Sequence, residues 1–100
     1  MSESKHRYWS QQLENLANEM SRLCIVCDIQ MLEPGVAERV LKGDEGVCGR
    51  KNSEVFDKLR KHLAAFIQTK GKAIGRLGVD ETRNMLDEVR GSIARLRGKD

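Results

Sequence analysis

Apolar residues in the first part of the chain fall at Trp9, Leu13, Leu16, Met20, Leu23 and Cys27, in steps of 4, 3, 4, 3 and 4. That is the spacing of a heptad seam, which places all six on one narrow helical stripe. The residues between them, among them Gln11, Gln12, Glu14, Asn15, Asn18, Glu19 and Arg22, suit a solvated face, and no Gly or Pro interrupts the run. The pattern predicts one long helix over about residues 5–31. Near its end Cys24, Ile25 and Val26 make the helix apolar all round, which predicts burial on more than one side.

Glu33-Pro34-Gly35 breaks this helix, because Pro34 disfavours helical geometry at Glu33. A short second helix is expected over 34–42, with Val36, Val40 and Leu41 inward and Gly43 as its stop. A polar stretch with two Gly follows, and Val47-Cys48-Gly49-Arg50-Lys51-Asn52 reads as a specifically structured loop within it. Asn52 or Ser53 caps a third helix over about 53–70, with Val55, Phe56, Leu59, Leu63, Phe66 and Ile67 as its apolar positions. Gly71 offers a stop, yet Ala73, Ile74 and Leu77 keep the helical spacing, so a continuation to Leu77 is also open. Asp80 caps a last helix over 80–97, with Met85, Leu86, Val89, Ile93 and Leu96 as its stripe and Arg90, Arg95, Arg97 and Lys99 at its C-terminal end. No period-2 strand or hairpin signal is present. The expected fold is all-α: a small antiparallel bundle of three main helices plus one short connecting helix, in one domain over 1–100.

Composition narrows the size of what this pattern can build. The chain has 100 residues, 39% hydrophobic and 33% charged. That excludes barrel enzymes, two-domain dehydrogenases and long repeat arrays. A domain of this length hides only about 60–65% of its unfolded surface. A helix of about 27 residues spans about 40 Å, against a radius of gyration near 13 Å for a domain of this size. Together these predict a homodimer whose seam is Trp9, Leu13, Leu16, Met20 and Leu23.

Charge is uneven along the chain. Residues 1–49 carry 5 basic and 8 acidic groups, a balance of −3, while residues 50–76 carry 8 and 2, a balance of +6. Residues 77–100 carry 5 of each. The central excess makes Arg50, Lys51, Lys58, Lys61, Lys70, Lys72 and Arg76 a candidate patch for an anionic partner. Aromatic side chains for base stacking are scarce, and the second and third helices are too far apart in sequence for a helix-turn-helix. The leading expectation is therefore a small non-catalytic regulatory or adaptor protein working through helical protein–protein contacts. A nucleic-acid-associated regulator using residues 50–76 is the alternative.

Candidate chemistry is sparse. Cys24-Ile25-Val26-Cys27 is a C-x-x-C, and Cys48 and His62 could complete a four-ligand metal set; a thiol or metal sensor through Cys24, Cys27 and Cys48 is the third functional reading. The pair lies inside an apolar helical run, where cysteines pack as small hydrophobes, so no metal and no cofactor is expected. Gly71-Lys72-Ala73-Ile74-Gly75-Arg76-Leu77-Gly78 matches neither phosphate-loop pattern, and its Gly at i and i+4 suit close approach of another helix. His6 and His62 form no triad by order or spacing, so no enzyme is expected. An odd number of Cys, no secretory leader and no long apolar run predict a reduced, cytoplasmic chain that does not enter a membrane.

Overall fold

The computed structural model describes residues 2–98, with side chains over residues 7–88. Four α-helices follow in chain order: α1 (Ser2–Cys27), α2 (Val36–Leu41), α3 (Ser53–Leu77) and α4 (Val79–Gly98), with a 3-10 turn at Glu45–Val47. No strand occurs among the described residues, and the all-α bundle of three long helices and one short connector is as expected. None of these helices is long and apolar enough to cross a membrane. His6, Val89, Arg90, Ile93, Arg95, Leu96, Arg97 and Lys99 lie outside the described side chains.

Helix α1 ends at Cys27, four residues before the expected stop, through local backbone chemistry. Asp28 takes a left-handed conformation, φ 52°. The amide of Ile29 then donates to the Cys24 carbonyl at 2.9 Å, and that of Asp28 to the Ile25 carbonyl at 3.3 Å. These two bonds make a Schellman cap, and its apolar seal is supplied by Ile29 and Cys24, each 2% exposed. Helix α2 occupies only the interior of the expected 34–42 span.

Helix α3 runs through Gly71 and Gly75 to Leu77, so its continuation beyond residue 70 is the one realised. Ala73 is fully buried and Leu77 packs against the core, so tertiary burial outweighs the cost of about 1 kcal/mol for each Gly in a helix. Gly78 alone, at φ 89°, turns the chain into α4. The last helix therefore begins one residue earlier than expected, and Asp80 sits in its first turn rather than at its cap. Thr82 is 1% exposed and hydroxyl-bonded to the Gly78 carbonyl at 2.7 Å, which secures that turn.

This lengthening gives the expected seam a covering helix within its own chain. Helices α1 and α3 have 26 and 25 residues, each about 38 Å long at 1.5 Å per residue, in a molecule 44 Å along its longest axis. Most of α1 therefore finds a covering helix in its own chain. Leu13, Met20 and Leu23 are buried, with Ala17 and Cys24 beside them, where α1 packs on α3 and α4; Trp9 is half-buried against this core, and Leu16 is half-buried. The homodimer expected from this seam loses that support, because the stripe is used within the protomer.

Candidate functional site

Continuity of α3 decides which basic residues meet. At 100° per residue, Lys58 and Arg76 share one azimuth, and Lys61 and Lys72 lie within about 60° of it. All four are exposed. They form one row about 27 Å long, from Lys58 to Arg76. Lys70 projects about 120° away from Lys58 and Arg76, and Arg50 and Lys51 precede the helix, so the seven-residue patch is divided. Asp57 is shared by Lys61 at 3.1 Å and Arg60 at 3.7 Å, which partly neutralises the N-terminal end of the row.

Beside the cationic row lies a different surface. Ile67 and Ile74, seven residues apart and therefore on one side of α3, are 45% and 37% exposed. Ile67 was expected to face the core; it projects outward instead. Between the isoleucines and the cations run Ala64, Gln68, Gly71 and Gly75, all exposed. A Cβ added at Gly71 or Gly75 would meet nothing within 4 Å. The outer face of α3 thus has an apolar edge, a centre that is low at Gly71 and Gly75 and carries Gln68, and a cationic edge. Its Gly spacing was legible in the sequence, but the flanking isoleucines were not.

The second notable region joins the end of α1 to the loop before α3. The amide of Gly49 donates to the Asp28 carbonyl and that of Arg50 to the Cys27 carbonyl, both at 3.0 Å. Around this clip, Asp44 accepts from Arg39 Nε at 2.7 Å and from the Gly46 amide at 2.9 Å. Ser53 donates to Glu45 at 2.9 Å, and Asn52 caps α3 by accepting from the Val55 amide at 3.1 Å. The loop is thus specifically structured, as its composition suggested. Arg39 beside Asp44, aided by the Gly46 amide, holds that carboxyl below its usual range. A depressed carboxyl adds stability above its ordinary pKa and loses it as pH falls through the lowered value, so this corner loosens only in acid.

Cys27 is fully buried and Cys48 half-buried. Cys27 Sγ lies 3.8 Å from the Asn52 carbonyl oxygen, and Cys48 packs against the same core cluster that holds Cys27. Burial pushes both thiols up; at Cys27 the neighbouring Cys48 opposes this and Glu45 adds to it, while at Cys48 both Cys27 and Glu45 add to it and Lys51 opposes it. The sequence had singled out Cys24 with Cys27, whereas the fold sets Cys27 against Cys48. Among the described residues, no group of three or more His, Cys, Asp or Glu side chains could hold a metal ion. The ligand set drawn from Cys24, Cys27, Cys48 and His62 is therefore not assembled, and His62 Nδ1 instead contacts the Lys58 carbonyl of its own helix at 2.8 Å.

No protein-family model, no curated protein and no solved structure matches the chain.

Proposed function

We propose that the protein is a small, non-catalytic regulatory adaptor that receives an acidic amphipathic helix of a partner protein on the outer face of α3. One observation carries this reading: Ile67 and Ile74 stand exposed along one edge of a centre left open by Gly71 and Gly75, with Lys61, Lys72 and Arg76 along the other. A Gly-lined centre lets a second helix backbone approach closely, so its apolar stripe can cover the isoleucines. Carboxylates on that helix's flank would meet the cationic edge, steering encounter and fixing orientation. The isoleucines also distinguish this face from a simple phosphate-binding row, which needs cations alone.

The alternative, a nucleic-acid-associated regulator, uses the row Lys58, Lys61, Lys72 and Arg76 without the isoleucines or the open centre. A variant carrying Gly71→Ala and Gly75→Ala separates the two. Each alanine raises helix stability by about 0.5–1 kcal/mol, because it enters open space. The melting temperature is therefore expected to rise. Binding of a labelled synthetic acidic amphipathic helix, followed by fluorescence anisotropy at about 0.15 M salt, is expected to weaken by about tenfold, or about 1.4 kcal/mol. Unchanged peptide affinity, or tighter binding of a random-sequence DNA duplex that is indifferent to the alanines, overturns the adaptor reading.

A further inference from the structure

We propose that Cys27 and Cys48 are a redox-active pair that hydrogen peroxide closes into an intrachain disulfide, stapling the end of α1 to the loop that leads into α3. The geometry is already restrained in the reduced protein. The Gly49–Asp28 and Arg50–Cys27 backbone bonds, both 3.0 Å, hold the residues just after Cys48 against the C-terminal end of α1. Both sulfurs belong to one packed cluster, Cys27 within it and Cys48 at its margin.

Access is one-sided. Cys48 lines an open cleft of about 270 Å³ whose wall also includes Asp28, Glu33, Val36 and Arg39. Cys27 is not on that wall, and Cys24 is only 2% exposed. Carboxylates at Asp28 and Glu33 oppose an anionic oxidant such as glutathione disulfide and leave a small neutral peroxide unhindered. The roles follow from this asymmetry of access: Cys48 is oxidised first, and Cys27 resolves it.

The step balances with one peroxide. The Cys48 thiol gives up its proton and its sulfur attacks a peroxide oxygen; the O–O bond breaks, and the departing oxygen takes up that proton and leaves as water, giving a sulfenic acid at Cys48. The Cys27 sulfur then attacks the Cys48 sulfur, the S–O bond breaks, and a second water leaves with the Cys27 proton. Two electrons pass from the sulfurs to the peroxide, which ends as two waters. Burial keeps both thiols protonated at neutral pH, so the pair reacts slowly and persists reduced until peroxide accumulates. The new bond would close a loop of about twenty residues, which restrains the unfolded chain.

The test uses the full-length reduced protein, hydrogen peroxide, alkylation, and peptide mapping by mass spectrometry. One peptide pair joining Cys27 to Cys48 is expected, with Cys24 recovered as a free thiol. The oxidised protein should melt about 10 °C higher, and dithiothreitol should reverse the change. A Cys24→Ala variant is expected to form the same bond, whereas Cys48→Ser should leave its remaining thiols unoxidised. A Cys24–Cys27 bond, a bond between two chains, or a sulfinic acid at Cys48 beside a free Cys27 overturns the proposal.

Discussion

Leu13→Ala is expected to lower stability by about 3–4 kcal/mol, a large part of the roughly 5–15 kcal/mol that holds a domain of this size together. Leu13 is fully buried in the long α1–α3 contact, where a truncated side chain leaves a cavity between two rigid helices that cannot close around it. The corresponding fall in melting temperature is roughly 12–30 °C. Leu16→Ala, at a half-buried position of the same seam, should cost only about 1 kcal/mol. The two positions thus distinguish a seam used inside one chain from a seam shared by two. Thermal unfolding checks this directly: the Leu13→Ala deficit should be the same at low and high protein concentration. A melting temperature that climbs with concentration, with equal losses at Leu13 and Leu16, would place the seam between copies.

Gly49→Ala is expected to cost about 2 kcal/mol. A Cβ there would collide with the Asp28 carboxylate and sit 3.0 Å from the Asp28 backbone oxygen, the acceptor of the Gly49 amide. The exposed carboxylate can swing aside; the backbone oxygen cannot without breaking the clip. Loss of the Gly49–Asp28 and Arg50–Cys27 bonds would free the loop from α1 and uncover Cys48. Alkylation of Cys48 should then quicken at least tenfold, the factor that corresponds to about 1.4 kcal/mol of lost local protection. Thermal melts and timed alkylation read the two effects separately. Gly75→Ala, which enters open space, is the control and should do neither.

How much of this was legible in the sequence depends on the range of the interaction concerned. The 4-3 spacing from Trp9 to Cys27 marks α1 and its buried stripe because helical periodicity is local. Its end is not visible in that spacing, because Asp28 adopts a backbone conformation usually left to Gly. The run of α3 through Gly71 and Gly75 could be allowed but not chosen, since two glycines disfavour a helix that only the burial of Ala73 and the packing of Leu77 secures. That choice controls the candidate face. With α3 ending at 70, Lys72, Ile74 and Arg76 would not line up with Lys61, Ile67 and Lys58. The thiol pair was hidden for a different reason: Cys27 and Cys48 are 21 positions apart, while Cys24 offered a nearer decoy at helical spacing. Only the Schellman turn and the Gly49 clip bring the distant pair together.

The role assigned to the outer face of α3 is tested most directly by photo-crosslinking in native extract. A benzophenone side chain placed at Gln68, in the open centre between Ile67 and Lys72, would be compared with the same group at Gln11, exposed on α1. Gln68 is expected to capture a protein through an acidic amphipathic helical segment and Gln11 is not, and combining Lys61→Glu, Lys72→Glu and Arg76→Glu should abolish the capture. Crosslinks from Gln68 to nucleic acid, or the same yield from Gln11, would contradict that role.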